Sequence, residues 1–174
     1  ITWIAKDVSG NNSTITQVIS VVDTIAPDLV VPADITQEAT GKTGNIVSLG
    51  EPVATDATGV SSISHNGPAD YPFGNTIVTW IATDNHGNTV TKTQNVTIID
   101  TTAPEISAPA NITFEATGTT GNIVELGSPK TSDLVEVASV SSDAPESFQL
   151  GDTTVTWTVT DTSGNTNTAT QLIS

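Results

Sequence analysis

One phrase occurs three times and decides the fold: TWIAKDVSGN at residues 2–11, TWIATDNHGN at residues 79–88 and TWTVTDTSGN at residues 156–165. The spacing is 77 residues both times, and the same offset relates DTIAP at Asp23 to DTTAP at Asp100. A solenoid repeat is about 20–50 residues long. A repeat of 77 residues instead has the length of a small independent domain. The sequence therefore predicts tandem domains.

The offset divides the chain into three parts. Residues 23–99 are one full repeat, residues 100–174 are a second, and residues 1–22 match only the last part of a repeat. We expect a longer native chain with further copies. A native start at Ile1 is the alternative, and residues 1–22 would then form an orphan hairpin. Such a hairpin could complete a neighbour's fold by strand exchange.

The phase of the main strand can be read from TVTWTVTD at residues 154–161. Val155, Trp157 and Val159 alternate with threonines, which indicates a strand with one buried face. By register, Trp80 and Trp3 also point inward. A Gly/Asn turn follows each copy and then a second alternating run, so the two strands form a hairpin.

Upstream segments supply the remaining strands. ITFEAT (residues 112–117) would bury Ile112, Phe114 and Ala116, and NIVEL (residues 122–126) would bury Val124 and Leu126 and expose Glu125. Short strands near Leu29–Val31, Val60–Ile63 and Val137–Val140 bring the total to six or seven per repeat. Strands at this spacing favour an antiparallel immunoglobulin-like β-sandwich, and no apolar pattern predicts a long helix.

The ordered motifs of each repeat resemble those of the HYR (hyalin repeat) domain. The matching residues of the first full repeat are Asp23, Pro27, Glu38, Asp56, Gly74, Trp80, Asp84, Gly87 and Asn88. Those of the second are Asp100, Pro104, Glu115, Asp133, Gly151, Trp157, Asp161, Gly164 and Asn165. The resemblance implies an all-β, immunoglobulin-like fold in tandem arrays, extracellular or cell-surface placement and a part in adhesion. Many animal members carry a cysteine pair and this chain has no cysteine, which favours a prokaryotic surface protein.

Charge limits the classes of partner. The chain has 19 acidic residues and 4 Lys+Arg, for a formal net charge of -15. Such a surface repels nucleic acid and anionic lipid and attracts cations, so we expect no nucleic-acid partner. No apolar run approaches the roughly 20 residues that span a bilayer, so we expect no membrane insertion in this segment.

The chain offers little for catalysis. The histidines, His65 and His86, have no counterparts in the other copies and lie in polar stretches that predict exposed loops. No nucleophile elbow, zinc-protease helix motif or phosphate-cradling loop is present in the sequence. We therefore expect a protein that is not an enzyme.

Acidic residues at the start of each repeat suggest a calcium site. In a sandwich of this type the entering chain and two loops lie at one pole, so side chains from all three should converge there. The candidate metal ligands are Asp23, Asp56, Asp84 and Asn88, and then Asp100, Asp133, Asp161 and Asn165. Ca²⁺ prefers such oxygen ligands, with dissociation constants on the order of 10⁻⁴–10⁻³ M in extracellular modules. Alternatively, the aspartates only cap turns by bonding the backbone two residues on.

The linkers between repeats are short and contain proline, which restricts its own φ and its predecessor. Neighbouring repeats should therefore stack with little bending into a semi-rigid rod, stiffened by calcium at the inter-repeat junctions. Four N-x-S/T sequons are candidate glycosylation sites if the chain is exported: Asn11, Asn12, Asn95 and Asn111.

The predicted function is structural: a stalk, fibre or surface filament for cell adhesion or matrix assembly, with neighbouring repeats of the same or identical chains as partners. An adhesin that binds carbohydrate or protein is the first alternative. It predicts an exposed aromatic patch, for which only Tyr71, Phe73 and His65 are available. A spacer of a larger secreted enzyme is the second.

Overall fold

The computed structural model describes residues 1–119 and 121–174, and this part of the chain folds into strands and turns without a helix. Residues 1–22 contain β1 (Thr2–Lys6) and β2 (Asn12–Thr16). The repeat 23–99 contains β3 (Asp28–Val30), β4 (Ile35–Glu38), β5 (Val53–Thr55), β6 (Val60–His65), β7 (Gly74–Asp84) and β8 (Thr89–Ile99). The repeat 100–174 contains β9 (Glu105–Ser107), β10 (Lys130–Ser132), β11 (Val137–Ser142), β12 (Thr153–Asp161) and β13 (Thr166–Ile173).

Each full repeat has two sheets. In the repeat 23–99, β3 pairs with β5, and a four-stranded sheet has the order β4-β8-β7-β6. In the repeat 100–174, β9 pairs with β10, and the second sheet has the order β11-β12-β13. β9 packs against both β12 and β13, which gives the two layers of an immunoglobulin-type sandwich. The predicted fold class is confirmed.

One pairing in each repeat is parallel, whereas only antiparallel strands were expected. β4 runs parallel to β8 with Ile35 opposite Val96, and the second repeat has a parallel bridge between Ile112 and Ile173. No hairpin turn joins β4 to β8, so local turn geometry does not impose an antiparallel direction. This pairing places Glu38 beside the end of β8.

The segment at residues 112–117 differs from the predicted strand. Only Ile112 forms a bridge, and Phe114 is 37% exposed although it was expected in the core. The amide of Phe114 donates to the carbonyl of Ser174, the last residue of the sequence, at 2.8 Å. At residues 122–126 the buried and exposed faces are as predicted, but only Asn122 forms a bridge.

The core of the second repeat is built around Phe148, Val155 and Ile173, with Trp157 packed half-buried against them. Trp80 is 4% exposed in the first full repeat. Trp3 is 57% exposed, so the burial expected for it is not found, although its indole bonds Gln17 as that of Trp157 bonds Gln171. Among the described residues β1 and β2 pair only with each other, and residues 1–22 match only the last part of a repeat.

Two compact units emerge from the contacts within the chain, and their boundaries cut across the sequence repeats. One consists of Ile1–Val31, Pro52–His65 and Trp80–Lys92. The other consists of Pro32–Glu51, Asn66–Thr79 and Thr93–Ser174. Among the described residues, no helix is long and apolar enough to cross a membrane.

Candidate functional site

The turn that closes each main hairpin is held by an aspartate. In the second full repeat, Asp161 Oδ1 accepts hydrogen bonds from the amides of Ser163 and Asn165, both at 2.8 Å. Asn165 Nδ2 donates to Asp161 Oδ2 at 2.8 Å. Gly164 has φ +90°, a backbone conformation that residues with a Cβ rarely adopt. This explains the glycine at this position of the turn.

The two other copies of the turn have the same construction. Asp84 Oδ1 accepts from the amides of His86 and Asn88 at 2.8 Å, and Asp7 Oδ1 accepts from Ser9 and Asn11 at 2.9 and 2.8 Å. The turn-capping role that the sequence left open is therefore present in all three copies.

These hydrogen bonds keep the turn carboxylates ionised. Burial acts to raise the pKa of Asp161, which is 2% exposed, but the hydrogen bonds from Asn165 and Ser163 outweigh it and the net pKa lies below the ordinary value. The same balance lowers the pKa of Asp84. Two nearly buried negative charges are thus maintained in neutral solution.

A cluster of three carboxylates surrounds this turn in the second repeat. Asp100, Asp133 and Asp161 each place an oxygen within 4.8 Å of the others. Asp100 is 7% exposed. Oδ1 of Asp133 accepts from the amides of Val135 and Glu136 at 2.8 and 2.7 Å, while its Oδ2 is buried without a hydrogen-bond partner. That oxygen is the one strong acceptor of this cluster that the protein leaves unsatisfied.

The corresponding cluster of the first repeat has a different composition. Asp23, Asp84 and His86 place ligand atoms within 4.8 Å of one another, and Asp56 is outside this group. The Thr58 hydroxyl lies 2.6 Å from Asp23 Oδ2 and 2.8 Å from Asp56 Oδ1, so it links the two carboxylates. Its hydrogen bond is the main reason that the pKa of Asp23 is lowered.

Histidine takes part in the first cluster. His86 Nδ1 lies 3.1 Å from the Thr58 hydroxyl and 3.7 Å from Asp23 Oδ2. In the second repeat Ser163 stands at the equivalent position, and its hydroxyl donates to Asp100 Oδ2 at 3.1 Å. His86 is thus an exposed turn residue, as predicted, that also contacts the first cluster. His65 lies in β6 rather than a loop, with its ring 4.7 Å from that of Trp80.

The two predicted asparagines contact the clusters through nitrogen. Asn88 Nδ2 donates to Asp84 Oδ2 at 2.7 Å and to the carbonyl of Asp23 at 3.3 Å. Asn165 Nδ2 makes the equivalent bond to the carbonyl of Asp100 at 3.2 Å. Both tie the turn to the first residue of their repeat. Their predicted role as metal ligands, like that of Asp56, stays a prediction.

All four sequon asparagines are exposed, and the side chains of three of them make the following hydrogen bonds. Asn95 Nδ2 donates to Asp34 Oδ2 at 3.0 Å, and Asn11 Nδ2 donates to Asp7 Oδ2 at 2.8 Å. Asn111 Oδ1 accepts from the amide of Leu172 at 3.0 Å, and Asn12 lies in β2. Glycosylation of these residues stays a prediction.

The aromatic patch that an adhesin would need is not formed by the expected residues. Tyr71 is 2% exposed, its hydroxyl has no hydrogen-bond partner, and burial raises its pKa. Phe73 is 43% exposed and His65 is also exposed, so Tyr71 is the one of the three expected residues that is buried.

These features define a class of protein, that of tandem all-β repeats. Each full repeat begins with an aspartate whose carbonyl accepts a hydrogen bond from the asparagine of the hairpin turn. The HYR domain model matches residues 22–98 and again residues 99–173. The chain belongs to the HYR domain family.

Two relatives are hyalins. Hyalin of Lytechinus variegatus is 38% identical over 188 residues, a match that covers 99% of this chain and 36% of the relative. Hyalin of Strongylocentrotus purpuratus is 38% identical over 175 residues, which covers 92% of this chain and 15% of the relative. The chain thus spans only part of each. Neither relative supports the expected prokaryotic origin.

Two solved structures show distant similarity. One contains extracellular cadherin domains 3–6 of protocadherin gamma B2, at 12% identity and a TM-score of 0.36 over 99% of this chain and 55% of that one. The other is a protocadherin gammaB7 EC3-6 cis-dimer, at 15% identity and a TM-score of 0.39 over 99% and 56%. Scores at this level do not bear on function.

Proposed function

We propose that this chain is a structural segment of an extracellular adhesion or matrix protein, in which HYR repeats form a semi-rigid stalk, fibre or surface filament. Family membership and the hyalin relatives support the proposal. A non-enzymatic role accords with the same similarities.

The observation that carries the proposal is the linker between the two full repeats. β8 ends at Ile99 and β9 begins at Glu105, so residues 100–104 alone separate them. These residues are tied down: Asp100 Oδ1 accepts from the amide of Thr102 at 3.1 Å, and Asn167 Nδ2 donates to the carbonyl of Pro104 at 3.0 Å. A short, bonded linker transmits tension and limits bending.

Residual dipolar couplings test the proposal. The repeats 23–99 and 100–174 should report one common alignment tensor, because a stalk needs a fixed junction. A variant with a Gly-Gly-Ser insertion after Ala103 is the control and should give two different tensors. Two independent tensors in the unmodified chain would contradict the stalk.

We further propose that Asp100, Asp133 and Asp161 bind Ca²⁺ at the junction. The residues fit the ion, since all three are hard oxygen donors and Asp133 Oδ2 is a buried acceptor without a partner. A bound divalent cation would neutralise the close carboxylates and link the linker residue Asp100 to the turn of its repeat.

Thermal unfolding in calcium and in chelator tests this site. For a dissociation constant on the order of 10⁻⁴–10⁻³ M, 10 mM Ca²⁺ stabilises the folded chain by about 1–3 kcal/mol. The melting temperature should therefore rise in calcium, and Asp133→Asn should abolish the rise. Asp152→Asn, an exposed acid of the same repeat that lies outside the cluster, should preserve it. Equal midpoints in calcium and chelator would exclude the site.

The hairpin of residues 1–22 provides a reason to propose chain-to-chain contact as well. Every residue of this segment is exposed, and its large apolar side chains include Trp3, Ile4 and Val21 at 57%, 65% and 94% exposure. The equivalent of Trp3 in the first full repeat, Trp80, is buried. We propose that the hairpin packs against strands of a second copy of the chain, by strand exchange.

A further inference from the structure

We infer that Glu38 is a metal-independent latch that fixes the linker between the two full repeats. The inference deepens the proposed structural function, on which its biological meaning rests. It assigns a role to the glutamate of ITQEA at residues 35–39, which the calcium proposal does not use.

Both carboxylate oxygens of Glu38 hold the linker. The amide of Thr101 donates to Oε1 at 2.7 Å and the Thr101 hydroxyl donates to Oε2 at 3.0 Å. The Thr102 hydroxyl adds a third bond, to Oε1 at 3.2 Å. Hydrogen bonds to an ionised acceptor are stronger than those between neutral groups, and two oxygens restrain orientation as well as distance.

The parallel pairing of β4 and β8 puts Glu38 in this position. Glu38 is the last residue of β4 and lies opposite Ile99, the last residue of β8. The amide of Ala39 then donates to the carbonyl of Ile99 at 2.7 Å, which extends the ladder by one bond. The carboxylate therefore reaches the linker where it leaves the sheet, and the backbone beside it is already fixed.

An ion pair across the same junction is specific to these two repeats. Lys42 Nζ lies 2.7 Å from Glu136 Oε2. The equivalent positions in the other copy are Thr119 and Gly59, which cannot form the pair. The side chains are 62% and 50% exposed, so water and salt weaken the pair. The ion pair is a further restraint on the junction, whereas the more numerous hydrogen bonds of Glu38 hold the linker itself.

The latch and the ion pair lie within one compact unit, which contains Pro32–Glu51 together with Thr93–Ser174. The end of the first full repeat that carries Glu38 thus clusters with the whole of the second repeat. The hydrogen bond from the Thr101 amide is the largest contribution that holds the pKa of Glu38 below its usual range, so the latch is charged in neutral solution.

Amide hydrogen exchange in excess chelator tests the latch. The Thr101 amide should be protected in the unmodified chain, and Glu38→Ala should reduce that protection at least about tenfold, as expected for loss of a bond to a charged acceptor. Glu115→Ala is the matched control, since Glu115 has the same motif position in the second repeat and is exposed. It should leave Thr101 unchanged.

Glu38→Gln guards against misfolding of the alanine variant. It retains an acceptor for the Thr101 amide and changes the acceptor of the Thr101 hydroxyl, so it should give intermediate protection. Unchanged Thr101 exchange in Glu38→Ala, with core amides still protected, would overturn the latch. If Thr101 responds as expected but the repeats show separate alignment tensors in the unmodified chain, the latch stands and the stalk fails.

Discussion

At the scale of single residues, a buried glutamine amide joins three segments of each repeat. Gln171 is fully buried, and its Nε2 donates to the carbonyls of Ala110 and Leu126 at 2.8 and 3.0 Å. Its Oε1 accepts from Trp157 Nε1 at 3.2 Å. The side chain therefore replaces water for two loop carbonyls and the indole.

We predict that Gln171→Ala destabilises the chain by about 2–3 kcal/mol, because buried acceptors and the Trp157 donor lose their partner. Urea unfolding monitored by tryptophan fluorescence measures the change. Gln17→Ala is the matched control: Gln17 accepts from Trp3 Nε1 at 3.0 Å but is exposed, so water can replace it at little cost. Equal losses in both variants would contradict the role of burial.

This glutamine shows what sequence reasoning could and could not reach at a single position. Alternation identified the strand that carries Trp157, because the period of a strand is local information. The contribution of Gln171 to stability depends on its hydrogen bonds to carbonyls 61 and 45 residues earlier in the chain. Strand periodicity does not encode these distant contacts. The difference between the two carboxylate clusters also depends on contacts that periodicity does not show. Thr58 links two carboxylates in the first cluster, whereas the equivalent Val135 has no hydroxyl.

At the scale of elements, the aspartate turn makes hairpin stability dependent on pH. The folded-state pKa of Asp161 lies below its ordinary value of 3.8. The turn therefore adds stability that is complete above the unfolded-state pKa and is lost as the pH falls through the folded-state value.

We predict that Asp161→Asn lowers the melting temperature at pH 7 and makes its decline below about pH 4 shallower, because the variant has no proton to take up at this position. Melting curves from pH 2 to 7 check this. Asp152→Asn, an exposed acid of the same repeat, should leave the steepness unchanged. An acid decline as steep in Asp161→Asn as in the parent would count against the turn.

Long hairpin strands could be predicted from sequence and short connecting strands could not. β8 and β12 carry many alternating positions, and both lie where the pattern placed them. The segment at residues 112–117 offers three apolar positions, and its pairing depends on β13, which is more than fifty residues away. Local periodicity therefore located the hairpins but missed the parallel pairing that positions Glu38.

At the scale of the whole chain, the 77-residue offset and the compact units describe different divisions. The family match follows the offset, with boundaries at residues 22–98 and 99–173. Contacts instead group Pro32–Glu51 with Thr93–Ser174. The offset follows sequence similarity, whereas the compact units follow contacts between residues, so the two divisions need not agree.

We predict that the chain self-associates through residues 1–22, since burial of exposed apolar side chains favours contact despite the net charge of -15. Sedimentation velocity should show a species that grows with concentration and with salt, which screens the charge. Trp3→Thr should shift the dissociation constant upward by at least about tenfold, the effect of losing a buried aromatic anchor. Val8→Thr, at an exposed turn position of the same hairpin, should change it little.

The aspartate turns have a consequence for how a chain of near copies reaches its native state. A strand from one copy matches the partner strand of another almost as well as its own, so exchange between neighbours is a hazard of duplication. Asp84 and Asp161 complete their bonds within four residues, before any distant segment is required. We therefore expect each strand to pair first with its sequence neighbour, which would limit entanglement among the duplicates.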